Sequence, residues 1–294
     1  MTGGWDVSDL PDQRGRTVVV TGASSGLGQA TAAAFALAGA HVVLAVRDAA
    51  RGERAAAGMT GSTEVRRLDL ADLASVRAFA AAWEGPLDVL VNNAGVMAVP
   101  RGRTVDGFET QLGTNHLGHF ALTNLLLRHI ADRVVTVSSA AHRHGRIDLE
   151  DLNWQQRRYR RWAAYGQSKL ANLLFTLELE RRLVEAGSPV RALAAHPGYA
   201  ATNLQLRTGS IVQTSLMAVT NRLFAQSDAM GALPTLYAAT QDLPGGSYVG
   251  PDGTGERRGH PTLVGRMAAA SDAELAKRLW DRSADLTGVP FGLP

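Results

Sequence analysis

The 294-residue chain is 45% hydrophobic and 19% charged with a formal net charge of +3, values of a chain that buries a sizeable core. It contains no cysteine, which excludes disulfides, thiolate metal sites and cysteine nucleophiles and suits a reducing cytoplasm. The charges are dispersed, no stretch approaches the roughly 18 apolar residues of a membrane span, and the Asp-rich start lacks the basic and apolar regions of a signal peptide; nucleic-acid binding, membrane spanning and secretion are therefore not expected.

The first β-branched run, 17–21, leads into Thr21-Gly22-Ala23-Ser24-Ser25-Gly26-Leu27-Gly28 and then a periodic Ala-rich segment, 26–38. A glycine-rich turn between a strand and a helix lets the backbone approach a pyrophosphate resting on the positive end of the helix dipole. Gly22, Ser24, Ser25, Gly26, Leu27 and Gly28 are thus candidate cofactor residues. The next strand, 42–46, ends at Arg47, where a site for an unphosphorylated ribose would carry an acid. A cation there suits a 2′-phosphate, so NADP(H) is expected over NAD(H), although Asp48 follows directly. After a helix at 49–57, the strand at 65–68 delivers Asp69 and Leu70 to the same edge, Asp69 within reach of an adenine amino group. A helix at 73–83 and a strand at 87–91 lead to Asn92-Asn93-Ala94-Gly95, a segment suited to bracing the sheet or lining the pocket.

Asn115 begins or kinks the next helical segment, 115–130; the strand at 134–137 then ends in Ser138-Ser139. Residues 143–162 are polar and rich in Arg, Trp and Tyr, and read as a solvated rim near the pocket. In the helix at 165–185, Tyr165 and Lys169 stand one turn apart on one face. Of the 30 basic residues only Lys169 and Lys277 are lysines, which singles out Lys169 as a place where a compact ammonium is needed. Bringing a phenol from its usual pKa near ~10 to neutrality takes about 4 kcal/mol, which an ammonium ~4 Å away at an effective dielectric of ~20 would supply. The strand at 190–194 precedes Pro197-Gly198, and a late strand at 247–249 completes the sheet.

Strands and helices alternating at this spacing predict an α/β fold: a single-domain, Rossmann-type, doubly wound parallel sheet with helices on both faces. Residues 16–200 would form the cofactor and catalytic core, 201–230 an apolar substrate lid, and 231–294 the C-terminal helices and last strand. His116, His119, His142, His144 and His196 show no metal-ligand spacing. His116 and His119 read as packing or capping residues, and no metal is expected.

Taken together, the glycine-rich loop, Asn-Asn-Ala-Gly, Asn115, Ser139, Tyr165-x-x-x-Lys169 and Pro197-Gly198, in that order, resemble the short-chain dehydrogenase/reductase family. Asn115-His-Leu-Gly-His-Phe, Val137-Ser-Ser-Ala-Ala-His and the long stretch from Ser139 to Tyr165 resemble its retinol-dehydrogenase-like branch, with the WW-domain oxidoreductases among its members. The resemblance implies interconversion of a carbonyl and an alcohol on a small apolar substrate. Tyr165 would be the general acid or base, Lys169 would lower its pKa and hold the nicotinamide ribose, and Ser139 would orient the substrate oxygen. Asn115 would fix a water linking Lys169 to solvent. Pro197, Gly198 and Thr202 would meet the nicotinamide end. Members commonly pair through the helices at 115–130 and 165–185, which implies a homodimer or homotetramer. A catalytically inactive NADP-binding regulator would show a broken tetrad; all four positions are filled.

Overall fold

The protein is described from a computed structural model, in which residues 4–198 and 227–293 are placed. The expected lid and Thr202 fall almost wholly outside the described residues. Eight strands form one sheet: β1 (Thr17–Thr21), β2 (His41–Val46), β3 (Ser62–Arg67), β4 (Leu87–Asn92), β5 (Ile130–Val137), β6 (Arg191–Ala195), β7 (Tyr248–Pro251) and β8 (Pro261–Leu263), in the order β3-β2-β1-β4-β5-β6-β7-β8. All neighbours pair in parallel except β7 and β8. The helices are α1 (Gly26–Leu37), α2 (Ala49–Ala56), α3 (Leu73–Ala81), α4 (Thr110–Leu112), α5 (Gly118–Leu126), α6 (Arg161–Glu185), α7 (Asp228–Thr240) and α8 (Ala273–Thr287).

The central strands are apolar at consecutive positions because both sheet faces are covered. Val19, Leu90 and Val134 join Phe79, Phe120 and Phe175 in the core on one face. Val18, Val20, Val89 and Val135 join Phe35, Leu233 and Leu236 on the other. At β1 and β4 the strand order reverses, and the carboxyl ends of these strands frame a crevice where such sheets bind their ligands.

The helical segment expected at 115–130 begins earlier, at Thr110, and is kinked at Asn115: Gly113–Leu117 forms a π-turn before α5 resumes an ordinary pitch. Gly118 sits where any Cβ would strike the Leu70 carbonyl oxygen at 2.3 Å, so the chain passes that close only with glycine.

Helix α8 covers the helices that the resemblance would assign to pairing between subunits. Trp280 stacks on Phe175 of α6 with ring centroids 5.6 Å apart and meets Phe120 of α5 edge-on at 4.8 Å. The Arg182 guanidinium lies 4.7 Å above the Trp280 ring. This chain therefore packs its own C-terminal helix against α5 and α6.

Candidate active site

A cleft of about 1100 Å³ opens at the carboxyl ends of the strands. It is lined by Gly22, Ser24, Ser25, Gly26, Leu27 and Gly28 from the first turn, and by Arg47, Asp69, Leu70, Asn93, Ala94 and Gly95 from the turns after β2, β3 and β4. Ser139, Tyr165, Lys169, Pro197 and Gly198 line its other half. The cofactor residues expected from sequence are thus brought together, apart from Thr202.

The first turn is shaped for close approach. Gly22 has φ +68°, and a Cβ on it would lie 2.9 Å from the Ala94 Cα. A Cβ on Gly28 would sit 2.4 Å from Asn93 Nδ2 and 2.6 Å from the Gly22 oxygen. Only glycine permits this packing of turn, helix and neighbouring strand, and it leaves the α1 N-terminus facing the cleft, as a bound pyrophosphate requires. Asn93 both lines the cleft and braces it, its Nδ2 donating to the Thr21 carbonyl at 2.8 Å.

At the end near β2, Asp48 lines the cleft with one carboxylate oxygen engaged. It caps α2, accepting from the Arg51 N–H at 3.0 Å. Arg51 itself reaches the cleft beside Arg47. Sequence reasoning missed Arg51, although Asp-x-x-Arg at the start of a helix carries the capping signal that ties up the acid.

Tyr165 and Lys169 lie in α6, 6% and 4% exposed. The Lys169 ammonium donates to the Val137 carbonyl at 2.9 Å and lies 5.8 Å from the centre of the Tyr165 ring. Burial pushes the Tyr165 phenol up to about 12, with a hydrogen bond from Ser139 opposing it, and brings Lys169 down to about 8. Burial thus disfavours the phenolate and the ammonium alike, while the neighbouring ammonium favours the phenolate.

Ser139 ends β5, caps a short turn (Ala140–His144) and accepts from the Ala141 N–H at 3.2 Å. Ser138 instead donates to the Lys169 carbonyl at 2.8 Å, tying β5 to α6. Asn115 is buried and does not line the cleft. Its Oδ1 accepts from the Val96 N–H at 2.8 Å, and its Nδ2 donates to the Val96 carbonyl and to Ser168 Oγ, each at 2.9 Å. Asn115 thus holds the cleft wall and the catalytic-side helix together through its side chain.

Residues 143–162 are not simply a solvated rim. Asp151 accepts backbone N–H bonds from Gln155 at 2.6 Å and Arg157 at 3.1 Å, Arg157 stacks 3.8 Å above Trp154, and Leu152 and Trp154 are buried. Trp162, half exposed, lines the cleft and meets Tyr165 edge-on at 6.2 Å. Val96, Met97 and Val99 line the cleft as well, giving it an apolar wall.

Gly255, Glu256 and Arg257 close the cleft beside Gly198, a contribution that their distance in sequence concealed. The Gly198 N–H donates to His196 Nδ1 at 3.2 Å, so the other ring nitrogen carries the proton and donates to Glu256 Oε2 at 3.1 Å. Arg143 donates to the second Glu256 oxygen at 2.6 Å. The two histidines of the π-turn region differ in role: His116 packs against Phe120 and Phe175 and pairs with Ser283 of α8 at 2.9 Å, whereas His119 bonds to Asn115 and Thr21.

Residues 16–211 match the short chain dehydrogenase family, and the chain belongs to it. It is accordingly an oxidoreductase of the carbonyl–alcohol type that uses an NAD(P) cofactor. Within the family it falls in the retinol-dehydrogenase-like branch. It is 44% identical over 293 residues to retinol dehydrogenase 13 of Homo sapiens, covering 94% of this chain and 85% of that protein. It is 40% identical over 302 residues to polyprenol dehydrogenase of Mus musculus, covering 96% and 87%. Among solved structures, an uncharacterized protein from Mycobacterium paratuberculosis superposes with a TM-score of 0.87 at 57% identity, covering 99% of this chain and all of that one. A protein from Beutenbergia cavernae, described as an NAD(P)-dependent gluconate 5-dehydrogenase and solved with NADP at low occupancy, superposes at 0.58 with 29% identity, covering 78% and 92%. Among the described residues no helix is long and apolar enough to cross a membrane.

Proposed function

We propose that this protein is an NADP(H)-dependent enzyme interconverting an apolar aldehyde or ketone with its alcohol. The observation that carries the NADP(H) preference is the pair Arg47 and Arg51 lining the cleft, with Asp48 between them engaged through Oδ1 as the cap of α2. Two guanidiniums outweigh the single carboxylate beside them and suit a 2′-phosphate.

In this reading the cofactor, held by the glycine turn, the two arginines, Asp69, Leu70, Asn93 to Gly95 and the Pro197-Gly198 turn, supplies or receives the hydride. Tyr165 Oη gives its proton to the nascent alkoxide in reduction and takes it back in oxidation. Ser139 Oγ hydrogen-bonds the substrate oxygen and fixes it beside the phenol. Lys169 favours the phenolate by its charge, and its cation is present below a pH of about 8. Asn115 acts by holding Val96 and Ser168, and so belongs with the positioning groups. Val96, Met97, Val99 and Trp162 favour a hydrocarbon substrate, and relatives named for retinol and polyprenol agree with that class. The cytoplasm is the compartment we propose; a homo-oligomer would have to use surfaces other than those under α8.

The test is a panel of aldehydes, ketones and alcohols followed by NADPH absorbance, with Tyr165→Phe as the control. Turnover of apolar carbonyls by the wild type, lost in the Phe variant with NADPH binding retained, supports the proposal. No turnover of any panel member, or a Phe variant as active as the wild type, overturns it.

A further inference from the structure

His119 is 1% exposed, one turn beyond Asn115, and takes no direct part in the chemistry proposed above. Its Nδ1 lies 3.0 Å from the Asn115 backbone oxygen, and its Nε2 lies 2.9 Å from Thr21 Oγ1. A carbonyl oxygen can only accept, so Nδ1 carries the ring proton and Nε2 accepts from the Thr21 hydroxyl. Thr21 Oγ1 in turn accepts the N–H groups of Asn93 and Ala94, each at 2.9 Å. Its lone pairs are occupied by these two, and its own proton points to His119, the alternative acceptor at Val91 being longer at 3.3 Å.

These bonds close a ring. Thr21 holds Asn93 and Ala94; the chain continues through Gly95 to Val96; Val96 is clasped on both backbone groups by the Asn115 side chain; the Asn115 carbonyl is held by His119; and His119 returns to Thr21. Gly95 lies inside the ring, and a Cβ there would stand 3.1 Å from Asn115 Oδ1 and 3.7 Å from Lys169 Nζ. The ring therefore passes beside the ammonium on one side and forms the cofactor wall on the other. Its weak joint is the π-turn, whose backbone pattern departs from the regular helix at Asn115.

We infer that His119 is a positioning residue that locks the Asn115 carbonyl and the Thr21 hydroxyl into one unit, coupling the wall that receives the cofactor to the Asn115–Lys169 side of the active site. This rests on the proposed function for its catalytic consequence, though not for its consequence for cofactor binding. Because the ring has two arms, they can be cut separately. Asparagine at 119 places an amide N–H near the Nδ1 position and gives up the Thr21 arm; glutamine places a carbonyl oxygen near Nε2 and gives up the Asn115 arm.

The experiment compares His119→Asn, His119→Gln and His119→Phe for NADPH affinity, by quenching of tryptophan fluorescence, and for kcat and KM on the best carbonyl of the panel. The expected result is a split: the Asn variant binds NADPH about tenfold more weakly with kcat nearly kept, and the Gln variant loses about tenfold in kcat with NADPH affinity nearly kept, roughly one buried hydrogen bond in each case. The Phe variant shows both losses. Equal losses in both quantities for Asn and Gln, or a Phe variant with wild-type affinity and kcat, overturn the inference; if Phe does not fold, the Asn and Gln pair decides. Wild-type protein that binds NADPH yet reduces nothing would count against the proposed function, while the affinity arm would still decide the role of His119.

Discussion

Replacing Lys169 by methionine isolates what its charge does for the phenol. The ammonium lies 5.8 Å from the centre of the Tyr165 ring, with α6 and β5 excluding water from both. For charges ~4–6 Å apart at an effective dielectric of ~20, Coulomb attraction is about 3–4 kcal/mol, at least about two pH units. The sign follows from which form the charge favours. A cation stabilises the phenolate, so its removal raises the pH at which Tyr165 ionises, and alcohol oxidation, which needs the phenolate as base, should move to higher pH. The assay is kcat/KM for alcohol oxidation from pH 5 to 10, followed by NADPH absorbance, in the wild type, Lys169→Met and Lys169→Arg. The midpoint of the limb on which activity rises with pH should move up by at least about two pH units in the Met variant, with a loss of at least about 100-fold well below it. Lys169→Arg keeps the charge, but a fork-shaped group does not fit the buried pocket in which Nζ reaches the Val137 oxygen at 2.9 Å; its activity should fall with a smaller change of midpoint. A Met profile that superimposes on the wild type, or that drops uniformly with no change of midpoint, would refute the electrostatic account.

Three other outcomes are expected. Arg47→Asp combined with Arg51→Asp should raise the KM for NADPH by at least about 100-fold relative to NADH, taking about 1.5–3 kcal/mol for each charge-assisted contact; equal losses with both nucleotides would remove these arginines from the 2′-phosphate site. Trp280→Ala deletes a buried ring that is 3% exposed and packed against Phe120, Phe175 and Phe291, and should cost about 3–5 kcal/mol in urea or guanidinium unfolding; a cost under about 1 kcal/mol would mean that α8 does not pack as described. His116, His119 and His196 are held at about 3, 4 and 4 by burial, below their ordinary 6.5, so between about pH 6.5 and 4 the unfolded chain binds more protons and stability should fall as pH falls through that window. A denaturation midpoint that stays flat from pH 6.5 to 5 would contradict these buried neutral rings.

The sheet was readable where both of its faces are buried. In β1, β2 and β4 to β6, apolar β-branched and Ala-rich runs sit between turn signals, and those runs became strands. At β3 the reading was too short: the strand starts at Ser62, but on this edge Ser62, Thr63 and Glu64 are at least partly exposed and carry no apolar pattern. The three-residue β8 is another edge, held by pairing with β7 rather than by any run of its own. In the segment at 115–130 the kink at Asn115 is legible, but the start at Thr110 and the bonds of the Asn115 side chain to Val96 are not, because periodicity does not register a bond made across the fold.

The same division separates the site residues. Tyr165 and Lys169, the glycine turn and Asn93 to Gly95 were legible because their chemistry is written in short spacings within one element or turn. Arg51 was within reach of such reasoning, since Asp48 capping α2 is a local signal. Glu256 and His119 were not. Glu256 acquires meaning only when Arg143 and His196, from two other segments, converge on its carboxylate, and His119 only when Thr21 of β1 is placed opposite its Nε2. The protonation of Tyr165 is not legible in the sequence for a related reason. The spacing along α6 places two side chains on one face, but the balance between attraction and desolvation depends on how much of the protein closes over them, and here Tyr165 and Lys169 are both buried. That burial raises the phenol and lowers the ammonium together, and so opposes the ionisation that the lysine's charge favours.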